Sequence, residues 1–306
     1  MDNSSSSTIA QYSIPILFMV FNRPDKTEIT FNQIRKQKPR TLYIAADGPR
    51  FGKEGEKEKC EQVRSLVQNI DWPCSPKYLF RDKNLGCYNA CTSAINWFFS
   101  EVEKGIIIED DCLPHTSFFP YCEELLEKYK DDDRIMMISG TNLNLELGSS
   151  SYYFSRYGQI WGWATWRKSW IKFETEMDVN NKKIHFNNRD EENYWRKNFT
   201  HPFWDVRWAV YTMWLNNGLA IMPNINLVTN IGFGKEATHY VDENSITAGI
   251  DSKPMIFPLK HPRDFVVNIQ RDNEFFYKYY YQSYSKRIIN KLKSIIKIMR
   301  KRLLNK

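Results

Sequence analysis

The chain has 306 residues, 42% of them hydrophobic and 15% aromatic, which excludes an intrinsically disordered protein and allows one large domain or two modest ones. The formal net charge of +7 is local, because residues 283–306 hold nine Lys or Arg and no acid, leaving 34 basic against 36 acidic residues elsewhere. A near-neutral body argues against a general nucleic-acid binder, which carries its charge on the folded face.

Residues 1–12 read as a polar, disordered lead, with no basic segment followed by an apolar one, so no signal peptide is expected. "IPILFMVF" (14–21) is a continuous apolar run of strand length, and "KTEITFNQIRKQ" (26–37) has helical spacing. The alternation continues with a strand at 41–47, a helix at 56–70, a strand at 77–82, a helix at 87–104 and a strand at 105–111. Strands alternating with helices predict a parallel sheet covered on both faces, and unbroken apolar runs fit strands buried on both sides. A helix is expected over 116–130 and a strand over 134–140. Residues 141–200 read as irregular and aromatic-rich, including "GQIWGWATWRKSW" (158–170). A helix is expected over 203–218, with Trp204, Trp208, Tyr211 and Leu215 on one face, and "LAIMP" (219–223) is strand-like. There is no internal repeat.

The expected organisation is a single domain over 13–265, with a nucleotide-binding half (13–112) and an acceptor half (113–265). An aromatic and basic tail follows over 266–306. Within it Ile288, Leu292, Ile295, Met299 and Leu303 form one apolar stripe among Lys and Arg. Such a helix fits the headgroup region of an anionic membrane, its own domain, or a nucleic-acid or partner surface. No apolar run reaches the ~18 residues of a spanning helix. Cys60, Cys74, Cys87, Cys91, Cys112 and Cys122 form no C-x-x-C pair and match no zinc-finger spacing, so reduced thiols in the cytoplasm are the expectation.

One stretch carries the chemistry. "GIIIEDD" (105–111) joins three isoleucines directly to Glu109, Asp110 and Asp111. A buried strand explains the isoleucines and puts the acids at its carboxyl end, where open α/β sheets bind ligands. Strand alternation lets Glu109 and Asp111 face one side. Adjacent carboxylates repel, and a hard cation such as Mg²⁺ or Mn²⁺ is the natural way to hold them ionised together. The other reading is a solvated acidic turn. "GFGK" (232–235) is too short for a phosphate loop, and neither G-x-G-x-x-G after a strand, H-E-x-x-H nor G-x-S-x-G occurs.

Strands ending in "FNR" and "ADG", then one ending in "EDD", resemble the GT-A fold of sugar-nucleotide-dependent glycosyltransferases. The likeness is to the N-acetylglucosaminyltransferase I type and to bacterial nucleotide-diphospho-sugar transferases. It spans roughly residues 14–240 and includes, in order, "VFNRPD", "AADGP", "NLGCYNA", "IIIEDDCLP", "WGWATW", "FWDVRW" and "NIGFGKEATH". The resemblance implies a Rossmann-like, mostly parallel α/β sheet with helices on both faces. It implies that Arg23 contacts the nucleotide diphosphate, that Asp47 binds the uridine, and that Asn84 lies on the nucleotide-sugar site. Asp111 corresponds to the acid that ligates Mn²⁺ (or Mg²⁺), with Glu109 and Asp110 touching the nucleotide-sugar or metal waters. Gly162 and Trp163 correspond to the donor-sugar pocket, Asp205 to the region of the catalytic base, and His239 to a late histidine that is a third metal contact. The chain departs from the likeness at Ser93, where a histidine stands in the family, and at Val206, where a second acid follows the first.

The residues allow plainer readings as well. Asp205 stands where a helix start uses an acid as a cap or dipole partner, and Asp47 before Gly48 and Pro49 fits turn chemistry. The expectation that joins these signals is an inverting, metal-dependent transfer of a sugar from a UDP-sugar to a glycan or lipid-linked acceptor. The tail would place it in the cytoplasm on the inner membrane surface, with no specific nucleic-acid partner. Two rivals stay open: a nucleotidyltransferase or phosphoesterase using the same acids, and a non-catalytic membrane- or nucleic-acid-binding protein on the same fold.

Overall fold

A computed structural model describes residues 11–143, 148–173, 184–199, 203–233 and 250–281. It opens with β1 (Ile16–Val20), α1 (Pro24–Gln37), β2 (Thr41–Ala46), α2 (Glu56–Gln68), β3 (Ser75–Phe80), α3 (Gly86–Glu101) and β4 (Lys104–Glu109). Then follow β5 (Cys112–Pro114), α4 (Phe118–Lys128), β6 (Ile135–Ser139), β7 (Tyr152–Ser155), β8 (Trp163–Trp166), α5 (Arg167–Trp170) and α6 (Arg189–Asn198). The described part ends with α7 (Trp204–Val206), α8 (Met213–Leu215), β9 (Leu219–Pro223), β10 (Val228–Asn230) and α9 (Ile269–Phe275). Eight strands form one sheet in the order β3-β2-β1-β4-β8-β6-β9-β7. The β1–β4 pairings are parallel, as is β6 with β9, whereas β8 runs antiparallel to both β4 and β6, and β7 antiparallel to β9. This is the mostly parallel GT-A type of sheet that the resemblance implied.

Strand alternation builds two cores from the same apolar runs. Ile16, Phe18 and Val20 of β1 face a core with Ile106 and Ile108 of β4, Phe31 and Ile34 of α1, and Leu125 of α4. Leu17, Met19 and Ile107 face the opposite core with Ile95 and Phe98 of α3. That second core holds most of the aromatic residues of the 141–218 region. Trp163, Trp170, Trp195, Trp204, Trp208 and Trp214 are all buried in it. Trp163 and Trp208 centroids lie 5.8 Å apart and those of Trp170 and Trp208 5.0 Å, tilted as aromatic quadrupoles prefer.

The region read as irregular contributes β7 and β8. Each is four residues long and buried throughout, so neither shows the period-2 alternation by which half-buried strands are recognised. The helix expected over 203–218 is α7 and α8 joined by a wider π-type turn over Arg207–Thr212. Trp204, Trp208 and Tyr211 of its expected face are buried, and Leu215 is half-buried. Residues 266–281, assigned from sequence to the tail, pack on the body: Phe275 and Phe276 are buried in the second core. The basic stripe over 283–306 lies outside the described residues.

Two side-chain environments make checkable demands. A Cβ on Gly105 would lie 2.2 Å from Cζ of Phe98 and 2.9 Å from the carbonyl oxygen of Pro15, inside a strand buried on both faces. Overpacking at such a site costs about 1–3 kcal/mol. Gly105→Ala is therefore expected to lower stability by about that amount in urea unfolding, and an unchanged midpoint would show that Phe98 has room to turn.

Asp272, at the start of α9, is buried and accepts hydrogen bonds from Ser155 Oγ at 2.6 Å and Arg156 N at 3.0 Å. Burial pushes its carboxyl up to about 7, against the pull of those donors. A carboxyl raised on folding favours the fold fully below its unfolded value of about 4, and loses that contribution as pH rises through about 7. Asp272→Asn removes this dependence. Its stability relative to the parent is expected to improve between pH 4 and pH 8 by on the order of 3 kcal/mol. Parallel pH profiles of parent and variant would refute the assignment.

Candidate active site

The carboxyl ends of β1, β2 and β4 open onto one cleft of about 500 Å³. Its lining includes Arg23, Asp47, Asn84, Glu109, Asp110, Asp111 and Asp205. The isoleucine run is fully buried in β4, and the acids begin where the strand ends.

The three acids have different surroundings. Asp110 turns inward. It is 3% exposed, accepts from Phe21 N at 3.2 Å, and is ion-paired with Arg23. Thr30 Oγ1 donates to its backbone carbonyl at 2.9 Å, tying the strand end to α1. Burial pushes the Asp110 carboxyl up to about 6, even though Arg23 pulls it down. Asp111 is more open, and its Oδ2 lies 3.1 Å from Arg23 Nη1. Burial alone would lower the Arg23 pKa, but the Asp110 and Asp111 charges outweigh it and raise the net value. Glu109 is half-buried. Burial, then the charges of Asp111, Cys87, Asp110 and Asp205, raise its pKa well above the usual carboxylate range. Five acids, Asp47 included, therefore share one cleft, with Arg23 as the counter-charge on Asp110 and Asp111.

A small second sheet shapes the wall beside Asp111. β5 pairs antiparallel with β10, which sets Asn230 opposite Cys112. Ile231 N donates to the Asp111 carbonyl at 2.8 Å. A Cβ on Gly232 would lie 2.1 Å from Asp111 Oδ2, so the close approach of this segment to the carboxylate needs glycine.

Asp47 anchors the other side. It is 7% exposed and takes hydrogen bonds from Gly48 N at 3.0 Å, Asn84 Nδ2 at 2.9 Å and Leu85 N at 3.1 Å. The turn reading of "ADG" is thus part of its environment: Gly48 packs against the Lys83 backbone, where a Cβ would come within 2.5 Å. Glu56 supports this wall. It is buried, and it binds Arg50 of the β2 loop and, at 2.9 Å, Asn22 of the β1 loop. Ser93, the departure from the family pattern, accepts from Arg81 Nη2 at 2.7 Å and so orients another cleft arginine.

Asp205 occupies the first turn of α7, one residue past Trp204 and two past the cap residue Phe203. Gly162 and Trp163 are not part of the cleft lining. Trp163 is fully buried, paired across strands with Ile107 and Ser139. Gly162 has φ +63° and accepts from Gly140 N at 2.8 Å. Trp161, just before β8, reaches the cleft, as does Trp204 of α7. His239 lies outside the described residues. Arg50, Arg81, Cys87, Cys91, Trp161 and Asn230 also line the cleft, and the sequence reading named none of them for it. The stretch 84–91 carried both thiols without marking them, because a helix start says nothing of which wall it forms.

Among the described residues, no group of three or more His, Cys, Asp or Glu is placed to close around a metal ion. No helix among them is long and apolar enough to cross a membrane.

No family model matches the chain, and no curated protein matches it. Solved structures of similar fold include a mannosyltransferase from Pyrobaculum calidifontis in complex with GDP-Man and Mn²⁺. That likeness has 13% identity and a TM-score of 0.35, over 53% of this chain and 46% of that one. HddC from Yersinia pseudotuberculosis is similar at 11% identity and TM-score 0.31, over 51% of this chain and 77% of that one. S. aureus TarS 1–349 is similar at 9% identity and TM-score 0.35, over 52% and 47%. The chain thus spans about half the length of the mannosyltransferase structure it matches. The fold class rests on the topology itself: a mostly parallel α/β sheet of GT-A type, with an acid-rich cleft at its carboxyl edge.

Proposed function

We propose that this chain is a nucleotide-sugar-dependent glycosyltransferase, using a UDP-sugar and a divalent cation and inverting the anomeric centre. The observation that carries the reading is the convergence of Arg23, Asp47, Asn84, Asp111 and Asp205 on one cleft from five separate segments.

Asp47 and Asn84 line the end suited to the nucleoside, where fixed polar groups recognise hydrogen-bonding edges. Arg23 offers a planar fork to the diphosphate. Its present partners, Asp110 and Asp111, keep it charged and aimed into the site. Asp111, with Glu109 beside it, would hold Mn²⁺ or Mg²⁺. The donor set fits a hard cation held by one or two carboxylates and completed by substrate phosphate and water, rather than an all-protein cage. Such a cation supplies positive charge against the diphosphate as it leaves. Arg23 stabilises the same growing charge from a preorganised position. Trp161 offers an aromatic face to the sugar. Asp205 accepts the proton of the acceptor hydroxyl as that oxygen attacks from the face opposite the leaving group. His239 is a further metal contact in this reading.

The acceptor is a glycan or a lipid-linked sugar. The basic stripe of 283–306 supports a site on the inner face of an anionic membrane, in the cytoplasm. The test is calorimetric titration with UDP, GDP and CDP, each with and without Mn²⁺, followed by product analysis with the matching nucleotide sugar. Metal-dependent UDP binding and release of UDP support the proposal. Release of pyrophosphate would assign the cleft to nucleotidyl transfer instead, and no nucleotide binding would end the enzymatic reading.

A further inference from the structure

The cleft contains a pair of thiols that the reaction above does not use. Cys87 and Cys91 stand one turn apart at the start of α3, their sulfurs 4.0 Å apart, and both line the cleft. Cys87 is exposed and Cys91 half-buried, while Cys60, Cys112 and Cys122 are buried elsewhere. We propose that Cys87 and Cys91 are a modification site: a dithiol that a small-molecule disulfide closes into an intrahelical disulfide, loosening the Asp47 corner of the cleft.

The chemistry balances by thiol–disulfide exchange. The Cys87 thiolate attacks one sulfur of the small disulfide, whose S–S bond breaks. One small thiolate leaves and takes a proton from water. The Cys91 sulfur, its proton passing to water, then attacks the Cys87 sulfur of the mixed disulfide and expels the second small thiol. Two protein thiols are oxidised, and one small disulfide is reduced to two thiols. Exposure assigns the first attack to Cys87, and proximity assigns the resolving step to Cys91.

Closure has a structural consequence. Helical residues four apart hold their Cβ atoms ~5–6 Å apart, whereas a disulfide needs about 3.5–4.5 Å. The first turn must therefore tighten. It can yield, because its N–H groups have no partner within the helix. The residues just before it carry the movement. Leu85 N donates to both Asp47 carboxylate oxygens at 3.1 Å, Gly86 N to Asn84 Oδ1 at 3.1 Å, and Asn84 Nδ2 to Asp47 Oδ2 at 2.9 Å. A first turn drawn inward pulls these donors off Asp47. That this weakens nucleotide binding rests on the function proposed above; the closure and the loosening do not.

The test treats the purified full chain with oxidised glutathione and reads two signals that need no nucleotide. Mass analysis of the peptide carrying both cysteines is expected to show it lighter by two hydrogen atoms, with reversal by dithiothreitol. Hydrogen exchange at the Leu85 amide is expected to be at least about tenfold faster in the oxidised form, as a local opening shows. In Cys91→Ser the adduct at Cys87 is expected to persist without closure, and the Leu85 amide to keep its protection. A persistent glutathione adduct in the parent, or a closed disulfide with unchanged exchange at Leu85, would overturn the proposal. Titration of UDP into the reduced and oxidised chains reports separately. A reduced chain that ignores UDP sinks the proposed function while the mass and exchange results stand.

Discussion

Asp111→Ala is expected to weaken Mn²⁺-dependent UDP binding at least roughly 100-fold, beyond the 10–100-fold lost when only a supporting residue of a metal site is removed. The reason is position. Asp110 is committed to Arg23 and Phe21 N, and Glu109 resists ionisation in its half-buried, acid-rich corner. Asp111 is the more open of the two acids that Arg23 holds, and it lines the cleft. Losing it removes the carboxylate best placed to hold a cation and leaves Arg23 to close on Asp110. The measurement is calorimetric titration of UDP with and without Mn²⁺ in parent and variant, with thermal melting to verify the fold. Equal affinities in the two proteins would remove Asp111 from the metal site and the cation from the reading.

The second large effect belongs to Asp205→Asn. General-base catalysis contributes about 10²–10⁴-fold, so turnover of the nucleotide sugar, to an acceptor or to water, is expected to fall by about that factor. UDP affinity is expected to stay within about threefold, because the change removes a group that acts only as the acceptor oxygen attacks. The split matters, since Asp205 also lies in the first turn of a helix, where an acid favours the positive end of the helix dipole. A purely structural acid would lower thermal stability and leave turnover of the folded fraction intact. Equal losses of binding and turnover would make it a donor-site residue.

Much of residues 13–112 was legible from sequence for a physical reason. In a doubly covered sheet, strands are unbroken apolar runs and helices keep a 3.6-residue period, so β1, β2, β4 and α1–α4 announce themselves. The carboxyl edge was legible as well, because Arg23, Asp47 and the 109–111 acids each follow a recognisable strand. The aromatic half was opaque. β7 and β8 are short and buried on both faces, and their residues read equally well as loop or core.

The points where apolar strands end in polar residues are written in the sequence, because burial of both sheet faces leaves only strand ends for charge. What each of those residues meets depends on how distant segments pack. Asp110 turns in to Arg23 while Asp111 faces Gly232, a difference of one residue that depends on a segment over a hundred positions downstream. Trp163 is locked into β8 between β4 and β6, while Trp161, just before that strand, reaches the cleft. Cys87 and Cys91 become a cleft-facing pair because α3 begins at the cleft that Asp47 and the 109–111 acids also line. Contacts between distant segments are set by the sheet order, and no local spacing encodes that order.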